Sequence, residues 1–210
     1  MMKLPSVRNR LPRDFFDRNP SIVARELLGK PLIRRSQKSW IGGRIVETEA
    51  YLSRDDLASH SSRGKTPSNA AMFGRPGTIY VYPIHAKYCL NAVTEAEGVA
   101  SAVLIRAIEP VWGLSRMKTN RGHQELHRLT RGPAMLCQAL DIDRRFDQAD
   151  LLGPCDVRIL QDDITLSNVT STQRIGVTRC KKLRLRFFID GNSYVSGRVG
   201  DHQNRPTRST

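Results

Sequence analysis

GGRIVETEAYL, residues 42 to 52, decides how the rest of the chain is read. From Val46 onward the residues alternate as they do along a half-buried strand and not along a helix. Period-two geometry sets Ile45, Glu47, Glu49 and Tyr51 on one face and Arg44, Val46, Thr48 and Ala50 on the other. Two carboxylates and a tyrosine on one side of an otherwise apolar strand are either a solvated face or part of a site.

Working outward, GTIYVYPI (77–84) follows a Pro-Gly turn and reads as a second strand. SAVLIRAIEP (101–110) is a near-continuous apolar run, which predicts a central strand buried on both faces. One polar residue, Arg106, interrupts it. Upstream, NPSIVARELLGKPL predicts a helix with Asn19 as N-cap, Pro20 at its first position and Gly29 as its stop. GPAMLCQALDI predicts another, opened by Pro133, with Ala134, Cys137 and Leu140 along one face. VRILQ, QRIGVTR and LRFFID predict late strands. The chain lacks regular β-α-β alternation and any G-x-G-x-x-G, which argues against a nucleotide-binding parallel sheet. The expected class is mixed α/β of the α+β kind: one compact domain with a curved, antiparallel-rich sheet core and surrounding helices.

The chain has 210 residues, with 34 Lys and Arg against 20 Asp and Glu, a formal net charge of +14. A field of that sign concentrates polyanions, so nucleic acid is the first partner to consider. A membrane is not expected, since no apolar run reaches spanning length. RCKKLRLR (179–186) places five basic residues in eight and fits a strand with one basic face, or a solvated edge strand. Residues 1–13 and 201–210 are polar and basic without periodicity and read as mobile tails flanking a domain over 14–200. Cys89, Cys137, Cys155 and Cys180 form no C-x-x-C pair, so no metal site is expected, and buried thiols of a reducing compartment are. The N-terminus lacks the apolar core of a secretory signal, which makes the cytoplasm the default location.

The unusual polar and aromatic residues are Glu49, Tyr51, His60, Tyr80, Tyr82, His85, Asn91 and Arg106, all at strand ends or in the loops after them. Each alone has an ordinary structural explanation. Together with RIVETEAYL, ASHSSRGKTPSNAAMF, PGTIYVY, CLN, VLIRAIEP and GPAMLCQAL, they give a chain that resembles the alkyladenine type of 3-methyladenine DNA glycosylase from about Leu11 to Gly200. The resemblance implies a monomeric, single-domain enzyme without metal or cofactor. It implies excision of alkylated or deaminated purines from double-stranded DNA, leaving an abasic site without cutting the strand.

The residue chemistry fits that implication. A flipped base needs aromatic faces, which Tyr51, His60 and Tyr82 would supply. Breaking the N-glycosidic bond passes through an oxocarbenium-like sugar, which a carboxylate can stabilise while it activates water. Glu49 is the candidate base, and Arg106 would position the water or the adjacent phosphate. Asn91 resembles the family's pocket asparagine, which discourages guanine by meeting its exocyclic amino group. Glu47 reads as structural. Between Tyr82 and Asn91 the family carries a tyrosine that wedges into the gap left by the flipped nucleotide. Here PIHAKYC is one residue short, His85 is the nearest positional match, and Lys87 is a candidate backbone contact.

Two other readings compete. A non-enzymatic nucleic-acid-binding module of the same fold, resembling the C-terminal domain of methionyl-tRNA formyltransferase, would account for the charge without needing Glu49 or Arg106. A base deaminase would need zinc ligands with a C-x-x-C pair, which the sequence does not contain.

Overall fold

The strand that contains the opening stretch, β2 (Ser39–Tyr51), is the hub of the sheet and changes partners along its length. Its first half pairs with β1 (Pro31–Ser36), Gly42 to Tyr51 with β5 (Ser101–Trp112), and Glu47 to Glu49 with β8 (Arg186–Ile189). Beyond β5 lie β4 (Lys87–Thr94) and β3 (Ile79–Ile84), joined as a hairpin. β6 (Val157–Ile159) extends the β1 edge, and β7 (Val169–Thr172) pairs with β8. All these pairings are antiparallel. The structure, a computed structural model, describes residues 3–84, 86–162 and 164–197. It is an α+β domain with a curled antiparallel sheet, as the sequence predicts.

β5 is buried along almost its entire length, in keeping with its apolar run. The helices pack on one side of the sheet around a core that includes Val23, Leu27, Ile45, Val103, Ile105, Leu136 and Leu140. α1 (Arg13–Phe16) leads into α2 (Pro20–Glu26), where the Asn19 side chain accepts from the Ser21 amide at 2.9 Å and Gly29 takes φ +80° just beyond the end. α3 (Leu114–Arg121) escapes sequence reading because Met117 is its one buried residue. α4 (Pro133–Leu140) starts at Pro133 as expected, but its buried face is Leu136, Cys137, Ala139 and Leu140; Ala134 is half-exposed.

Three expectations are corrected. First, period-two alternation fails inside β2. The register against β5 shifts at Val46 on one strand and Arg106 on the other, a pair of compensating bulges. Ile45 therefore joins the main core with Ala50, while Val46 packs in a separate cluster with Ala107, Phe188 and Val195. Glu47 and Glu49 do share a face, but not with Ile45. Secondly, residues 173–185 are irregular, so QRIGVTR and most of RCKKLRLR form a long loop and not strands. Its polar residues make specific side-chain bonds described below, which replace a ladder. Thirdly, residues 3–12 are fastened to the domain and not a free tail. Leu11 is 1% exposed, its amide donates to the Ile159 carbonyl at 3.0 Å, and the Gln161 amide donates to Asn9. Residues 198–210, including the other expected tail, lie outside the described residues. Cys89, Cys137 and Cys155 are buried free thiols, whereas Cys180 is half-exposed.

Candidate active site

Arg106, at the β5 bulge, lies between the two β2 carboxylates. Its Nε donates to Glu47 Oε1 at 3.0 Å and its Nη1 lies 3.2 Å from Glu49 Oε1. Glu47 also receives Arg186 Nε at 2.6 Å and the Ser196 amide at 2.7 Å. Both carboxylates are fully buried. Burial alone would push the Glu47 carboxyl up, but the Arg106 and Arg186 guanidiniums outweigh it and hold the group below the ordinary carboxylate value. Burial acts in the opposite sense on Arg106, where Glu49 and Glu47 prevail and fix the positive charge. Glu47 is thus the anchor of an internal ion network, consistent with the structural role predicted for it.

Glu49 has a different set of partners. Its Oε1 accepts from the Ile175 amide at 2.8 Å as well as facing Arg106, while among the described residues Oε2 accepts a single bond, from the Tyr51 hydroxyl at 2.9 Å. Tyr51 is held well above the ordinary phenol range by burial first and by the Glu49 charge second, so it stays protonated and donates. Arg174 stacks over the Tyr51 ring at 4.6 Å and makes a buried bidentate pair with Asp56, at 2.6 and 2.7 Å. Asp56 in turn accepts from the Leu52 and Ala58 amides, tying the loop after β2 to the loop after β7.

Above this network opens a cleft of about 760 Å³, lined among others by Tyr51, His60, Tyr80, Tyr82, Asn91 and Arg106. The rings pack against one another: His60 meets Tyr82 edge-on at 4.5 Å between centroids, and Tyr80 lies 5.5 Å from Tyr82. His60 Nδ1 is 2.8 Å from the Tyr80 hydroxyl. Burial, with a smaller push from Arg63, depresses the His60 imidazole below its usual value, so the ring is neutral near pH 7. Tyr80 is pushed up to about 12, chiefly by burial, and Tyr82 is raised further by burial and Cys89. The walls are therefore uncharged aromatic surfaces. Asn91 donates its amide nitrogen to the Tyr80 carbonyl at 3.0 Å, which fixes its side chain on the cleft wall.

Of the residues picked from sequence, Tyr51, His60, Tyr82, Asn91 and Arg106 line this one cleft, and Glu49 lies beneath it, bonded to two of them. Lys87 is exposed at the start of β4, paired across the hairpin with Ile84. His85 lies outside the described residues. Sequence reasoning missed the exposed apolar rim, Leu57 at 57% and Ile84 at 42%, and the Arg174–Asp56 and Arg186–Glu47 pairs. Partners more than a hundred positions apart leave no spacing to detect. Among the described residues no three His, Cys, Asp or Glu side chains gather as metal ligands would, and no helix is long and apolar enough to cross a membrane.

A buried carboxylate beneath an aromatic cleft, on a strongly cationic α+β domain, outlines a hydrolase for a planar group carried by a polyanion. Comparison with known proteins gives that outline a family. The sequence profile of methylpurine-DNA glycosylase (MPG) matches residues 14–193. A protein of Rhodopirellula baltica is 53% identical over 209 residues, 95% of this chain and 88% of its own length. One of Koribacter versatilis is 45% identical over 193 residues, 90% and 93%. A third, of Carboxydothermus hydrogenoformans, is 44% identical over 188 residues, 89% and 98%. Each of the three bears the name "Putative 3-methyladenine DNA glycosylase". The chain belongs to the methylpurine-DNA glycosylase family.

Proposed function

We propose that this protein is a monofunctional DNA glycosylase of base excision repair, which takes alkylated or deaminated purines out of duplex DNA and hydrolyses their N-glycosidic bond. The observation that carries this reading is Glu49, buried under the aromatic cleft with one carboxylate oxygen doubly occupied and the other accepting a single bond. Glu49 Oε2 has a lone pair left for a water proton. The water oxygen attacks C1′ as the C–N bond breaks, the purine leaves with the bonding electrons, and Glu49 takes the proton. Its negative charge also stabilises the oxocarbenium-like sugar.

Tyr51, His60 and Tyr82 hold the purine between neutral rings, which suit a cationic alkylpurine because the π face is electron-rich. Arg106 positions Glu49 and the water from below; its two carboxylate partners leave it less suited to a phosphate. Asn91 meets the purine edge and disfavours guanine. Lys87 contacts the backbone at the rim and exposed Ile84 supplies an apolar wedge for the vacated stack, with His85 the residue matching the family's wedge tyrosine. On this reading the enzyme works as a monomer in the cytoplasm and uses no cofactor.

The test is incubation, with EDTA present, against duplexes carrying hypoxanthine or ethenoadenine and against methylated DNA. Free base with alkali-sensitive, uncut strands is the expected result. Tight binding with no base released from any substrate would replace the enzyme by the binding-module reading.

A further inference from the structure

We propose that a second cleft, at the far end of β2 from Tyr51, docks the phosphate backbone of duplex DNA. The cleft has a volume of about 650 Å³ and is bounded by Arg8 and Arg10, Arg35 on β1, Lys38 in the β1–β2 turn, Trp40 on β2 and Arg158 on β6. Five cations converge there, and among the described residues none of the five forms an ion pair.

Two of the guanidiniums are held in place. Arg158 packs 4.7 Å over the Trp40 ring and donates to the Val7 carbonyl at 2.9 Å, and its buried Nε has no protein partner among the described residues. Arg10 donates to the carbonyls of Leu151 and Gly153. Around them Arg8, Arg35 and Lys38 are exposed and make no side-chain hydrogen bond among the described residues. Arg158 is destabilised as a cation by burial and by Arg10 and Arg35, with Asp156 opposing weakly. Crowding like charges this way does nothing for folding, whereas a polyanion would relieve it.

The choice of DNA among polyanions rests on the function proposed above. Trp40 and Tyr51 are about 35 Å apart along the strand, less through the curl. One turn of B-DNA is also about 35 Å, so a duplex engaged at the aromatic cleft can present phosphates here, and a separate duplex segment presents the same chemistry.

The test is the double variant Arg35→Gln/Lys38→Gln, chosen because neither side chain makes a bond that folding would miss. Binding of undamaged 8- and 30-base-pair duplexes, the shorter about 27 Å long and so unable to reach both clefts, is followed by anisotropy across a salt series. The slope of log K against log salt should flatten by about 2 relative to wild type. A change confined to the longer duplex assigns the cleft to the duplex held at the aromatic cleft. A change with both, with stoichiometry on the short duplex falling from two to one, assigns it to a separate segment. Wild-type slopes and stoichiometry with both duplexes would overturn the proposal. Base release by the wild-type protein is scored separately: its absence would remove the glycosylase reading, while the binding data would still decide the second cleft.

Discussion

At the residue scale, the two glutamates of one strand face divide the work by their partners. Glu47 receives two arginines and an amide, which leaves it inert and structural; Glu49 keeps an oxygen with a single donor among the described residues. Glu47→Gln would leave Arg106 and Arg186 buried with less compensation and should cost about 3 kcal/mol, a fall on the order of 10 °C in Tm for a domain of this size. Since the native Glu47 pKa is depressed, its contribution is complete above the ordinary carboxylate value near 4.5 and is lost as pH falls through the lower native value. Melting by circular dichroism between pH 7 and 3 should therefore show wild type losing stability more steeply than Glu47→Gln in acid; parallel curves would deny Glu47 its buried charge. Glu49 and Tyr51 were legible in sequence because alternation alone puts them together. The partners of Glu47 were not, because two of them, Arg186 and Ser196, lie nearly 140 and 150 positions away.

At the element scale, the site depends on how β2 and β5 cross. Their backbones approach so closely at Gly43 that a Cβ there would sit 1.9 Å from the Glu109 carbonyl oxygen. Gly43→Ala should force the strands apart, with little soluble protein or a Tm lowered by more than 10 °C; a normal melt would show the crossing to be pliable. The loop after β7 is the second element that matters, since Arg174 braces Tyr51 and the neighbouring Ile175 amide holds Glu49. Arg174→Lys keeps the charge but loses the bidentate pair and the flat stack. Base release should then show a KM raised about tenfold with kcat nearly kept, the mark of a loosened pocket wall; an equal loss in kcat would place Arg174 closer to the chemistry. Sequence patterning found β2, β3, β5, β6 and β8 and the helices α2 and α4, and passed over β1, β4 and β7. It misread 173–185 because Leu183 and Leu185 alternate with basic residues as a strand would, while side-chain bonds take the place of a ladder. It also missed the bulges, since an inserted residue leaves composition unchanged and alters only the phase of the pattern.

At the scale of the whole molecule, a +14 charge and a family membership point the same way: toward an enzyme that works on DNA. The aromatic cleft and the basic cleft lie at opposite ends of one strand, so affinity for undamaged duplex should fall by about 10² or more between 50 and 200 mM salt, and a flat dependence would contradict phosphate binding. The overall α+β class followed from strand spacing and the lack of β-α-β rhythm. The packing of residues 3–12 did not, because a few anchors such as Leu11 hold an otherwise polar segment. The central claim is that Glu49 is the base under the cleft. It is tested most directly by single-turnover release of base from a hypoxanthine duplex by wild type and Glu49→Gln, with affinity for the same duplex measured alongside. A rate lower by about 10² to 10⁴ with affinity unchanged is the predicted result; release at the wild-type rate would contradict it.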